Sequence, residues 1–194
     1  MKKTGVDMSV SDQQLEKELK REIMKKKSQK RFMRMISSIL FVAAIFALIT
    51  VIWVPVYQIT GKSMEPTLEQ GQIVVALRTP NIGMGDIVAI YYENQILIKR
   101  VIGMSGDQIM LDEKGFLSVN GILLDEKYLS NIVRMTTDLT YPYIVPDGQY
   151  FVMGDNREKS IDSRMSQFSC ITEDKIAGKL FFRIWPLDRV GFIG

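Results

Sequence analysis

The chain of 194 residues contains no histidine. That absence excludes Ser-His-Asp and Cys-His catalysis, imidazole metal sites and histidine-based pH switching. The one cysteine, Cys170, cannot form an intrachain disulfide, and without an imidazole partner a thiolate zinc site or a conventional cysteine protease is excluded as well. Cys170 therefore reads as a packed or half-exposed thiol, and neither metal nor cofactor is expected. Repeats of solenoid type are missing, and so are low-complexity tracts beyond one basic arm. The twelve methionines are scattered without helical spacing, which argues against a Met-rich binding groove. What is present is 46% hydrophobic and 24% charged, enough for one domain of ordinary size plus one extra element.

Charge is uneven along the chain. Residues 1–34 hold eleven Lys/Arg and five Asp/Glu, a net of +6, so the remainder carries −3 of the total of +3. A basic arm fits nucleic acid in general. Here it abuts an uncharged run, Met35 to Tyr57, of which Ile36 to Val54 supplies 19 mainly apolar residues. At ~1.5 Å per residue a helix of that length spans about 28 Å, roughly the hydrocarbon thickness of a bilayer. The run is too long for the core of a cleaved signal peptide and no small-x-small site follows it, so it reads as an uncleaved anchor with a lipid partner and no nucleic acid. The cations at 25, 26, 27, 30, 31 and 34 then place the N-terminus in the cytoplasm and the rest outside. Ahead of the span, Ser11 to Lys30 reads as a solvated helix, with Ser11 able to cap it, Leu15, Leu19 and Ile23 in one stripe, and Glu16/Lys20 and Glu22/Lys26 paired at i,i+4. The expected organisation is thus a basic arm (1–34), an anchor (35–57) and an extracytoplasmic domain (58–194).

After Pro55 the pattern changes to short runs rich in β-formers. Gln72–Leu77, Asp86–Tyr92, Ile96–Ile102, Gln108–Leu111, Phe116–Val119, Tyr150–Met153 and Ile176–Trp185 are the expected strands, with turns at Glu93-Asn94-Gln95 and Asn120-Gly121. No long helical pattern intervenes, so the fold class is mainly β, an antiparallel catalytic domain behind one transmembrane helix. The aromatic residues Phe181, Phe182, Trp185 and Phe192 fit either a core or a lipid interface.

Without histidine, a serine nucleophile needs another base, and a lysine held neutral by apolar surroundings can serve. In Ile96-Leu97-Ile98-Lys99-Arg100-Val101-Ile102, period-two alternation puts Lys99 on the face of Leu97 and Val101, with Arg100 pointing the other way. Lowering the ammonium pKa from about 10.4 to near neutrality corresponds to roughly 4 kcal/mol, which desolvation can supply. Neutral Lys99 could take a serine proton and return it to a leaving amine; arginine, always charged, could not. Ser63 lies in Gly61-Lys62-Ser63-Met64-Glu65-Pro66-Thr67-Leu68, where an extended stretch leaving the membrane meets a proline-fixed turn. A third segment runs Gly154-Asp155-Asn156-Arg157-Glu158-Lys159-Ser160-Ile161-Asp162-Ser163-Arg164, which by composition alone is a surface loop with Asx-turns and local ion pairs. Each segment alone also fits an ordinary turn, an edge strand or a loop.

Together, in order and wording, the three resemble the signature boxes of the bacterial type I signal peptidases, membrane-bound Ser-Lys proteases that remove signal peptides from exported proteins. The resemblance runs from the anchor to the C-terminus. It implies Ser63 as nucleophile and Lys99, in Lys-Arg-Val-x-Gly, as general base. It implies further that Ser160 hydrogen-bonds the base while Asp155, Arg100, Asp162 and Arg164 make ion pairs that hold the site. The lysine box separates this type from the similar eukaryotic reticulum type, which uses histidine. Where the Gram-negative pattern has a serine hydroxyl facing the oxyanion, this chain has Gly61, as in the compact Gram-positive form, which leaves the Ser63 backbone N–H as the donor.

The implied substrates are signal peptides of secreted preproteins, cut after small-x-small motifs, with the segment bound extended against strand edges. By correspondence Ile59, Met64, Leu68, Leu97 and Ile98 line the pocket, together with Tyr57. Two other readings start from the same residues. A catalytically inactive homologue acting as a membrane-anchored scaffold or chaperone would lack Ser63 or Lys99, and both are present. A self-cleaving Ser-Lys regulator would carry a DNA-binding domain in place of the span.

Overall fold

A computed structural model describes residues 7–129 and 136–193, and the first six residues of the basic arm lie outside them. The chain divides into two units, Met1–Thr50 and Val51–Gly194. Helix α1 runs without a break over Asp7–Trp53. It begins four residues before the expected cap Ser11, whose side chain lies outside the described residues. It is continuous because no Gly or Pro interrupts Asp7 to Trp53, and Pro55 ends it by disfavouring helical backbone in the residue before it. The stretch Leu15–Leu48 has a mean hydropathy of 1.8 in its most apolar window, of which none is buried against protein. Phe41 and Phe46 are each 68% exposed. An apolar window of that length with none of it buried among the described residues suits hydrocarbon rather than water.

The second unit is antiparallel throughout, as its strand runs lead one to expect. Its strands are β1 (Val56–Gln58), β2 (Ile73–Leu77), β3 (Ile87–Tyr92), β4 (Gln95–Gly103), β5 (Gln108–Leu111), β6 (Leu117–Val119), β7 (Ile122–Leu123), β8 (Tyr143–Ile144), β9 (Gln149–Met153), β10 (Ile171–Thr172), β11 (Ile176–Trp185) and β12 (Gly191–Phe192). An eight-stranded sheet has the order β1-β2-β11-β3-β4-β9-β10, with β12 also on β11; a four-stranded sheet has the order β7-β6-β5-β8. Val56 and Tyr57, the last residues of the expected anchor, pair with Val75 and Val74 instead of continuing the helix. β3 and β4 are joined by the two-residue turn Glu93-Asn94, and β6 and β7 by Asn120-Gly121, whose φ values of +53° and +78° are those of a tight hairpin.

Alternation along the central strands feeds two apolar layers. Ile87 and Ala89 of β3 join Ile59, Met64, Leu68, Val74 and Leu180 on one face of the large sheet. Val88 and Ile90 join Val101, Val152, Phe168 and Ile171 on the other. A sheet covered on both faces needs unbroken apolar strands, which is why β3 reads Ile-Val-Ala-Ile. A third layer, with Ile102, Phe151 and Met153 against Ile109, Leu117 and Val119, joins the large sheet to the small one. Cys170 belongs to this layer, 7% exposed, and burial pushes its thiol pKa up. At the C-terminal edge Phe181 and Phe182 are half-buried, whereas Trp185 and Phe192 are 49% and 81% exposed.

Candidate active site

Lys99 sits in the middle of β4, opposite Val88 of β3. Alternation turns it toward the layer of Leu97 and Val101, where it is only 2% exposed. Desolvation there lowers its pKa from 10.5 to about 8; the charges of Asp162 and Asp155 oppose the shift and that of Arg164 assists it. Its Nζ donates to Ser160 Oγ at 3.0 Å, and the Ser160 hydroxyl in turn bonds Asp162. Burial alone would raise the Asp162 carboxyl, but the Arg164 hydrogen bonds and charge, with Ser160 and the Gly154 N–H, hold it below the ordinary carboxylate value.

Ser63 reaches the same place from the loop between β1 and β2. Ile59 N–H donates to Gln72 O at 2.8 Å, which closes the base of that loop, and Leu68 N–H donates to Met64 O at 2.9 Å within it. Met64 and Leu68 are buried at 2% and 0% exposure, so the turn is pinned into the core by the residue right after Ser63. The Ser63 carbonyl accepts the Asn156 N–H at 3.0 Å, which ties the turn to the loop after β9. A cavity of about 250 Å³ is lined by Ser63 and Lys99 together, with Gly61, Lys62, Tyr92, Gln95, Leu97, Lys159, Ile161 and Phe168.

Two buried ion pairs frame these residues. Arg100, on the opposite face of β4 from Lys99, grips Asp155 in a bidentate fork, Nε to Oδ1 at 2.9 Å and Nη2 to Oδ2 at 2.7 Å. Arg164 does the same to Asp162, at 2.7 and 3.0 Å, and its Nη2 also donates to the carbonyls of Arg157 and Ser160. Such forks fix orientation as well as charge. Gly154 explains how the two loops approach so closely: a Cβ there would fall inside contact distance of the Ser160 side chain and of the Ser63 carbonyl. Gly61 has φ +84°, a conformation that L side chains rarely adopt, so a serine there would be strained.

The structure thus brings Ser63, Lys99, Ser160, Arg100, Asp155, Asp162 and Arg164 into one neighbourhood. Of the six expected pocket residues, Tyr57, Ile59, Met64, Leu97 and Ile98 line a second depression of about 140 Å³ beside Ser63. Leu68 does not; it is wholly buried in the core beneath. Sequence reading also missed a supporting layer. Thr67 Oγ1 donates to Asp155 Oδ2 at 2.5 Å. The Tyr128 ring lies 4.1 Å from the Arg100 guanidinium carbon, and its hydroxyl donates to Glu126 at 2.8 Å. Glu126 pairs with Arg157, whose Nε holds the Gly154 carbonyl at 3.1 Å. Thr67 was within reach as part of the serine box, whereas Glu126 and Tyr128 sit in a stretch with no periodicity or motif.

The family described as "Signal peptidase, peptidase S26" matches residues 32–185. Signal peptidase IB of Staphylococcus aureus (strain COL) is 37% identical over 153 residues, covering 69% of this chain and 78% of that protein. Signal peptidase I of Bacillus caldolyticus is 36% identical, covering 70% and 82%. A crystal structure of a signal peptidase I from Enterococcus faecalis V583 is 30% identical and aligns with a TM-score of 0.44, covering 52% of this chain and 97% of that one. With the matched span taking in most of the chain, from within the helix to the end of β11, the protein belongs to the signal peptidase family of serine endopeptidases, peptidase S26.

Proposed function

We propose that this protein is a membrane-anchored endopeptidase that removes N-terminal signal peptides from exported preproteins after small-x-small motifs, with Ser63 as nucleophile and Lys99 as general base. The observation that carries the reading is a lysine buried to 2% exposure with its pKa lowered to about 8, in one cavity with a serine. At pH 7 a base of that pKa is about one-tenth neutral, against roughly 3 in 10,000 at the ordinary value. Neutral Lys99 accepts the Ser63 proton as Oγ attacks the scissile carbonyl, then passes it to the departing amine. Water, deprotonated by the same group, hydrolyses the acyl-enzyme and frees Ser63. Ser160 positions the ammonium through its 3.0 Å bond and is itself held by Asp162. The Ser63 N–H, which no backbone hydrogen bond uses among the described residues, is free to face the oxyanion.

The groove supports an extended substrate. β9 pairs with β4 only from Arg100 onward, so one edge of residues 95–98 carries no strand among the described residues. β1 is one of the two terminal strands in the order of the large sheet. The depression lined by Tyr57–Gly61 on one side and Gln95–Ile98 on the other lies between these two edges, where a peptide can add as a strand. Its volume of about 140 Å³, with Ile59 and Met64 already packed in its walls, suits small side chains.

Incubating the full chain in detergent with a preprotein tests the reading. Ser63→Ala and Lys99→Arg should each abolish cleavage while the protein stays folded by circular dichroism, since arginine keeps the charge but cannot act as a base. Substantial turnover by the arginine variant would remove Lys99 from the mechanism.

A further inference from the structure

The buried arginines of the site are matched one to one with carboxylates: Arg100 with Asp155, Arg164 with Asp162 and Arg157 with Glu126. The rim is different. Lys62 and Lys159 both line the cavity that holds Ser63 and Lys99, both are exposed, and neither makes an ion pair among the described residues. The described lining of that cavity contains no Asp or Glu. Two ammonium groups without an ion-pair partner among the described residues therefore stand at one mouth of the site, on side chains from different loops.

Chemistry says which part of a substrate meets that mouth. Ser63 lines both depressions, but Lys99 lines only the one with the two rim lysines. In the Ser-Lys reading, on which this inference rests, Lys99 returns the proton to the leaving amine, so that nitrogen must come within ~3 Å of Nζ. The chain on the amine side of the scissile bond must then leave over the Lys62/Lys159 cavity. The acyl side lies in the groove between β1 and β4.

We infer that Lys62 and Lys159 form a subsite for an acidic side chain in the first two residues after the scissile bond. They act as specificity-determining residues that favour mature chains beginning with Asp or Glu. Their exposure sets the scale. A solvent-exposed ion pair is worth about 1.5- to 5-fold in an equilibrium or rate ratio, and two such factors multiply, so the two lysines together should favour an acidic over a neutral residue by roughly 2- to 25-fold. The preference should shrink as salt rises, because screening acts over about 10 Å at 0.1 M.

The test uses the full chain in zwitterionic phosphatidylcholine vesicles, which remove anionic headgroups as competitors for the lysines. Peptides spanning one cleavage site, identical except for Glu, Gln or Lys at the second position after the bond, give kcat/KM for the wild type and for the Lys62→Glu/Lys159→Glu variant. The readout is the Glu-to-Lys ratio within each protein, which cancels any general loss of activity. In the wild type the ratio should be at least about 2 at low salt, and as much as about 25 or more, and approach one in high salt; in the double variant it should invert. A ratio near one in both proteins, with all peptides cut, would overturn the subsite and leave the peptidase reading standing. The subsite is equally overturned if the reversal changes only binding to anionic vesicles, because the lysines would then serve the membrane surface. Failure of every peptide to be cut would remove the Ser-Lys reading and the subsite with it.

Discussion

Burial of Lys99 makes a pH profile the sharpest probe of the site. Leu97 lies two residues away on the same face of β4, half-buried, and lines the same cavity. Same-face neighbours on a strand stand ~7 Å apart. A carboxylate introduced by Leu97→Asp would attract the Lys99 ammonium by about 1.2–2.4 kcal/mol, taking an effective dielectric of roughly 20–40 for this partly open position. Attraction favours the charged form, so the Lys99 pKa should rise from about 8 by about 0.9 to 1.7 pH units. The neutral fraction at pH 7, and with it kcat/KM, should fall roughly 8- to 50-fold. The wild-type profile should climb about tenfold per pH unit and level off above about 8. That of Leu97→Asp should keep climbing to about pH 9–10. Leu97→Asn supplies the control, since the amide matches the carboxylate in size and carries no charge. The assay is kcat/KM for one uncharged peptide from about pH 6 to about 10.5, compared over the part of that range in which circular dichroism shows all three proteins folded. Superimposable profiles for the Asp and Asn variants would refute the reasoning. Leu97 would then be only a pocket wall, and Ser160 would become the next candidate for what tunes the base.

Two further outcomes follow from the same geometry. Gly154→Ala should force the Ser160 side chain and the Ser63 carbonyl apart, costing about 1–3 kcal/mol in urea unfolding and roughly 100-fold in kcat, because a shift of about 1 Å breaks the Lys99–Ser160 contact; a fully active alanine variant would show that the two loops need not touch. Protease added outside intact cells should digest the 58–194 domain and spare a tag before residue 25, as the cationic cluster at 25–34 directs. Protection of the domain would reverse the proposed topology.

Much of this protein is carried by local pattern. A missing residue type removes imidazole chemistry outright, and a long run without charge, Gly or Pro specifies a helix suited to lipid. Period-two alternation correctly set Lys99 with Leu97 and Val101 and turned Arg100 away from them. Strands β2 to β4, β9 and β11 were legible because five or more consecutive residues carry a readable alternation or an apolar run, and the shorter β5 and β6 because turn residues bound their β-forming runs. β1, β7, β8, β10 and β12 were not legible, being two or three residues long with no β-forming run of their own set off by turn residues, and formed where a neighbouring strand offers a hydrogen-bonding edge. The merger of arm and anchor into one helix was also missed, since a change from polar to apolar marks a change of solvent and not of backbone.

The site itself is tertiary. Lys99 meets Ser160 across 61 residues and Arg100 meets Asp155 across 55. The pKa of Lys99 depends on how completely the surrounding segments exclude water from it, which no window of sequence reports. Glu126 and Tyr128 enter the network only because the small sheet delivers their stretch against Arg157 and Arg100. Residue type decides what chemistry a side chain is capable of, and that is written locally. Desolvation and ion pairing decide whether it does that chemistry at neutral pH, and both arise only when distant segments exclude water from the same few ångströms.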